Sequence, residues 1–308
     1  MGEGVEIARD YHARTFPTFI LTAAAGEVID RWHGYSGTDG FLSALDAALA
    51  DRTTIGQKLT RFREHPTAGD AVKLGDLRNH EGLFAEAGAF YARARDLDPA
   101  ADVTMRIFEA TLFGTKAGLF TFDRLVERAD AVFASPKRTA DEMIGVATHL
   151  KKLAAKEGQA DLYVRYLKQA VEETEGVTEG KAAKVRPVML ADYALHVEGN
   201  AEVAVERKRA SMPEGWRDDP NQLNNFACWC FENRINLEDA EAAARRGVER
   251  AHPGNEKANI LDTLAEICNL KGDCGDAVEY IRMAVAEDPD SEYFREQLVR
   301  FQELLAGQ

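Results

Sequence analysis

The stretch AGDAVKLGDLRNHEGLFAEAGAFYARARDLDP, Ala68–Pro99, returns near the far end of the chain as ANILDTLAEICNLKGDCGDAVEYIRMAVAEDP, Ala258–Pro289. Aligned without gaps, the two copies place Leu74 with Leu264, Gly75 with Ala265, Gly82 with Gly272, Ala87 with Ala277, Tyr91 with Ile281, Ala94 with Ala284 and Pro99 with Pro289. Each position has a mechanical reason. Small residues let two antiparallel helices approach, the glycine ends the first helix, and the proline ends the second.

A third copy, NNFACWCFENRINLEDAEAAARRGVERAHP (Asn224–Pro253), fits with one extra residue in its second helix. A fourth, VRPVMLADYALHVEGNAEVAVERKRASMP, fits at Ala191, Gly199 and Ala204, and residues 102–174 give two more helix pairs without a clear consensus. The pattern resembles the tetratricopeptide (TPR) repeat in its leucine-glycine, aromatic, alanine and proline positions, although the tryptophan and tyrosine usual in its first helix are missing. The resemblance implies a mainly α fold, a solenoid of about six helical hairpins. It also implies a protein-interaction scaffold. In that family the residues two, five, nine and twelve places into each repeat line a peptide groove. Here they are Gly69, Val72, Asp76 and Asn79, then Asn259, Asp262, Glu266 and Asn269. The asparagines suit recognition of an extended backbone. The family's clamp for C-terminal carboxylates needs lysines and arginines, and acids stand here instead, so protein or peptide clients with basic or neutral segments are expected.

Upstream of the repeats lies TFPTFILTAAAGEVIDRWHGYSGTDGFLSALDAAL, residues 15–49. Residues 3–12 read as a short helix. Phe16 to Leu21 is aromatic and β-branched and starts at a proline, as an edge strand tolerates. The AAAG turn supplies a hairpin glycine, Val28 to Trp32 returns, and Asp39 is placed to cap a helix with Phe41, Leu42, Leu45 and Leu49 on its apolar face. This order looks like the C-terminal half of a thioredoxin-like domain, a truncated α/β half-domain over residues 1–50. The resemblance implies a cis Pro17, with Phe16, Pro17 and Thr18 offered to an extended substrate. The alternative function it implies is a thiol–disulfide oxidoreductase, active in cell redox homeostasis, whose repeats recruit clients. That family's reactive C-x-x-C is absent, because no cysteine precedes Cys228. The chain as given is therefore expected to be inactive. A lone two-stranded hairpin is marginal in water. The half-domain is expected either to be the tail of a longer protein, the preferred reading, or to lean on the first helical hairpins. The expected organisation continues with a connecting helix over 51–67, a TPR-like repeat over 68–101, divergent hairpins over 102–212, and TPR-like repeats with a C-terminal helix over 213–308.

The chain has 308 residues, 45% of them hydrophobic, and a net charge of −14. Disorder is not expected at that apolar content, and the acidic surface disfavours nucleic acid. No stretch approaches the roughly 18 consecutive apolar residues of a membrane span, and MGEGVEIARD shows no export signal. The four cysteines, Cys228, Cys230, Cys268 and Cys274, are too sparse for a disulfide-stapled secreted fold. A cytoplasmic location is expected. Cys228 and Cys230 sit two apart on a helix and face apart, so core packing is the main expectation, with a redox or metal site between adjacent hairpins as the alternative. The seven histidines (12, 33, 65, 80, 149, 196 and 252) are scattered and form no metal motif. Gly34, Gly37 and Gly40 lack a following Gly-Lys-Ser/Thr. Glu172-Glu173 and Asp218-Asp219 read as solvated faces and turns. No cofactor is expected.

Overall fold

Pro17, Gly26 and Gly34 bracket the first two strands in the computed structural model, which describes residues 3–13 and 16–307. After α1 (Glu3–Asp10) come β1 (Thr18–Thr22) and β2 (Val28–His33), an antiparallel pair with Phe19 opposite Trp32, Ile20 opposite Arg31 and an irregularity at Leu21/Thr22. The Phe16–Pro17 peptide is cis. α2 (Thr38–Ala50) follows, and its Phe41 ring meets Phe19 edge-on at 4.9 Å while Phe19 stacks on Trp32 at 5.6 Å. Asp39 is not the cap of this helix. Gly37 holds that position without a side-chain hydrogen bond, and Asp39 lies in the first turn, where its charge still complements the helix dipole.

The chain forms two compact units, Met1–Tyr163 and Val164–Gln308. In the first, α3 (Ile55–Glu64) opens with a Thr54/Gln57 capping box, and α4 (Ala68–Glu81) opens on Thr67. α4 ends at Gly82 in the left-handed conformation, φ 80°, which an L side chain resists. α5 (Phe84–Leu97) then packs antiparallel on α4. Gly75 makes their approach possible, since a Cβ there would lie 2.4 Å from the Tyr91 ring. α6 (Thr104–Lys116) and α7 (Phe122–Ala134) form a further pair, followed by α8 (Ala140–Lys156).

The sheet leans on these helices, and polar side chains close the outer edge of β2. The Lys58 ammonium, from α3, donates to the carbonyls of Ile29 (3.0 Å), Asp51 (3.1 Å) and Thr53, and only 1% of the residue is exposed. Asp30, 3% exposed, takes the Arg31 amide (2.8 Å) and pairs with Lys73 of α4. The His80 ring, also from α4, meets the Arg31 carbonyl through Nδ1 at 3.2 Å. Backbone groups that would make a strand edge adhesive are thus satisfied by side chains.

The second unit holds most of α9 (Ala160–Glu173), then α10 (Gly180–His196) paired with α11 (Ala201–Ala210). After a single 3-10 turn at Trp216–Asp218 come α12 (Pro220–Glu232) with α13 (Leu237–Arg250) and α14 (Asn255–Lys271) with α15 (Cys274–Glu287). α16 (Glu292–Ala306) packs on α15. Its core runs through Leu223, Phe226, Leu261, Leu264, Ala265, Ile281, Phe294 and Phe301, each at most 2% exposed. As α4 does at Gly82, α14 ends at a left-handed glycine, Gly272 (φ 91°).

Candidate functional site

Four segments of the first unit converge on one cleft of about 350 Å³. β2 contributes its last residue, His33. The C-terminal turn of α4 contributes Asn79 and His80, Gly82 follows as its cap, and Phe84 opens the next helix. The end of α6 closes the far wall with Phe113, Lys116 and Ala117. Phe84 and Phe113 stack with centroids 6.0 Å apart, and Phe113 remains 43% exposed. The Lys116 ammonium lies 5.9 Å from the Phe113 centroid, at the upper limit of a cation–π contact.

The polar groups here are arranged asymmetrically. The His33 and His80 rings lie 4.5 Å apart. Burial, the neighbouring His80 and Arg31 lower His33 to about 4, and burial lowers His80 as well, so both are neutral at pH 7. A carbonyl can only accept, so the bond to Arg31 fixes the His80 proton on Nδ1 and leaves the Nε2 lone pair as an acceptor. Asn79 Oδ1 and His33 Nε2 are buried without a hydrogen-bond partner among the described residues. Native structures rarely leave such atoms unpaired. The cleft therefore combines an aromatic wall and one cation with the side chains of His33, Asn79 and His80.

The residues expected to line a groove fall into two groups. Asn79 reaches the cleft, while Val72 is half-buried against the α4–α5 core. The acids serve as clamps from one hairpin to the next. Asp76 accepts from Tyr91 Oη (2.9 Å) and Arg106 Nε of α6 (3.0 Å). Asp262 accepts from Tyr293 Oη of α16 (3.0 Å), and Glu266 pairs with Arg300 of the same helix. A third clamp, missed in the sequence, is buried: Trp229 Nε1 of α12 donates to Asp192 of α10 at 2.9 Å. Asn269 accepts from the Cys274 thiol (3.5 Å). Burial raises Asp262 to about 6, and its Oδ1 has no hydrogen-bond partner among the described residues.

All four cysteines are thiols. Cys228 Sγ lies 3.2 Å from Thr263 Oγ1, across the α12–α14 seam, while Cys230 and Cys268 are buried in the core. Burial pushes both Cys230 and Cys268 up to about 11, which keeps them protonated and poorly nucleophilic at neutral pH. Among the described residues no group of three or more His, Cys, Asp or Glu is placed to hold a metal ion. Phe16 is 83% exposed, and the Pro17 carbonyl accepts from Gly34 N (3.0 Å), which sets this loop beside the end of β2. No described helix is long and apolar enough to cross a membrane.

No family model and no curated protein matches the chain. Among solved structures it is similar to a tetratricopeptide repeat protein from Parabacteroides merdae, with 12% identity over 86% of this chain and 96% of that one, TM-score 0.50. It is also similar to the APC/C hetero-tetramer Cut9-Hcn1 (14% identity, 79% and 44% coverage, TM-score 0.45) and to pilF of Pseudomonas aeruginosa (15%, 78% and 97%, TM-score 0.44). At this identity the first likeness establishes the fold alone, that of a TPR-type helical repeat protein, and the other two carry no argument.

Proposed function

We propose that the chain is a protein-interaction scaffold that binds neutral or basic segments of client proteins through its helical hairpins, in a cytoplasmic setting that keeps its thiols reduced. The observation that carries this reading is the cleft between β2, α4 and α6, a concave, aromatic-walled site lined by polar side chains. The net charge of −14 disfavours acidic clients. Panning a random peptide library on the immobilised chain, followed by calorimetry of the recovered sequences, tests it. Peptides binding more tightly than about 1 mM, free of acidic runs, are expected, a threshold equivalent to about −4 kcal/mol. A library that yields none overturns the proposal.

A second reading is favoured by one feature of the opening segment. Helix, strand, hairpin, strand and helix follow in the order of a thioredoxin-like half-domain, and among the described residues β1 pairs with β2 alone. On this reading Phe16, Pro17 and Thr18 form the substrate-facing loop of a redox module, the dithiol lies upstream, and the repeats recruit clients. Reading the codons upstream of Met1 tests it. A Trp-Cys-x-x-Cys motif in frame supports the reading, and an in-frame stop without the motif removes it.

A further inference from the structure

We infer that the open edge of β1 is a self-association edge, on which β1 of a second copy of this chain adds antiparallel. The inference goes beyond the scaffold reading and does not rest on it. The bond from Gly34 N to the Pro17 carbonyl sets the alternation of the ladder. Pro17, Phe19 and Leu21 turn their backbone groups to β2, so Ile20 and Thr22 turn theirs outward. Among the described residues these outward groups have no hydrogen-bond partner. The outer edge of β2 is treated differently, since Lys58 and His80 take up the outward carbonyls of Ile29 and Arg31. Natural sheets block free edges with charges, prolines or bulges. On the β1 edge none of these stands in the way. No charged residue lies between Arg14 and Glu27, the Pro17 backbone faces β2, and the extra residue of the irregularity, Ile29, is on β2.

The edge is also complementary to itself. Thr18–Thr22 reads Thr-Phe-Ile-Leu-Thr, the same residue classes in either direction. About a two-fold axis at Ile20, each Ile20 exchanges N–H···O=C bonds with its counterpart, Phe19 lies opposite Leu21 of the second copy, and Thr22 lies opposite Thr18. Apolar and threonine pairs of this kind stabilise antiparallel strands, whereas like charges set opposite each other destabilise them. Phe19 packs with Trp32 and Phe41, so Leu21 of the second copy extends that aromatic cluster across the junction. Thr18 to Leu21 are only half-buried within one chain, while Ile29, Asp30 and Arg31 of β2 are at most 7% exposed. The pair of hairpins becomes one four-stranded sheet, and three or more strands with an apolar face are what such a sheet needs to stand alone. Two copies of a chain of net charge −14 thus meet on a stretch that carries no charge.

Sedimentation velocity of the full chain from about 1 to about 200 μM tests the assignment, a range suited to the small interface of a five-residue edge. The mass should rise from 34.0 kDa toward twice that value. Amide exchange at Ile20 and Thr22 should slow at least about fivefold over the same range, while Phe19 and Leu21, bonded to β2, stay protected throughout. Ile20→Lys and Ile20→Glu should each weaken association at least about tenfold, and an equimolar mixture of the two should restore it, because the opposed charges then attract. A chain that stays monomeric at the highest concentration, association that leaves Ile20 exchange unchanged, or an Ile20 amide equally protected at every concentration would each overturn the assignment. So would a mixture of the folded variants that associates no better than either alone. Should a variant fail to fold, exchange in the native chain decides. Protection of Ile20 by a library-selected peptide on a monomeric chain would give the edge to clients instead.

Discussion

Alanine at Gly75 sets two effects of opposite sign against each other. Helix propensity alone favours alanine by about 1 kcal/mol in the interior of α4. The new Cβ, however, would sit 2.4 Å from Tyr91 Cε1 and 2.7 Å from Cδ1. Tyr91 is 1% exposed, and its hydroxyl is tied to Asp76 at 2.9 Å, so the ring cannot swing aside without giving up that bond. Overpacking costs about 1–3 kcal/mol, and a hydrogen bond to a charged acceptor contributes about 1.5–3 kcal/mol. The balance is a net destabilisation of about 2 kcal/mol in the α4–α5 hairpin. Amide exchange of α4 and α5 across a urea series reads this locally, which matters in a chain of two units. The double variant Gly75→Ala, Tyr91→Ile copies the Ala265 and Ile281 pairing of the second repeat and should recover the overpacking part of the loss but not the Tyr91–Asp76 bond. A single variant as stable as the native chain, or more so, would refute the steric argument.

Acid should act on the two units in opposite directions. His33 is held near 4 in the folded state against 6.5 unfolded, so its contribution is present above pH 6.5 and is lost as pH falls toward 4, by an amount on the order of 2–3 kcal/mol. Asp262 is raised to about 6, so its contribution is present at low pH and is lost as pH rises through 6, and Asp262→Asn should stabilise the second unit at pH 7. Urea midpoints of His33→Gln and Asp262→Asn between pH 4 and 8 check both signs. Lys58→Met leaves three carbonyls without their donor and should cost about 2–4 kcal/mol, with exchange protection lost first in β2. Cys230 and Cys268 should resist iodoacetamide at pH 8 in the native chain and react on unfolding, as mass spectrometry of tryptic peptides would show.

The hairpins were legible because their demands are local and repeated. Gly82 and Gly272 terminate helices by backbone conformation, and Gly75 and Ala265 are small where a partner helix presses close. The opening strands were legible from Pro17, the AAAG turn and the aromatic and β-branched run, but the start of α2 was not, since Asp39 carries a capping side chain and Gly37 takes the position. The cleft left no linear signature. His33 belongs to the strand, Asn79 and His80 to the first clear repeat, and Phe113 and Lys116 to a stretch without consensus. Three-dimensional packing alone joins them. Lys58 is the sharper case: in the run IGQKLTRF a lysine reads as solvated, and the carbonyls of Ile29, Asp51 and Thr53 that it caps explain its burial. The partners of the groove acids were less legible. The acids' own positions were read from the repeat, yet their partners, Arg106, Tyr293 and Arg300, lie on helices that periodicity alone does not bring together.

A library-selected peptide carrying a nitroxide label answers most directly whether clients bind where the hairpins meet the sheet. Relaxation enhancement of the ¹⁵N-labelled chain should broaden the amides around Asn79–Phe84 and Phe113–Ala117. Broadening that spares these residues would contradict the account.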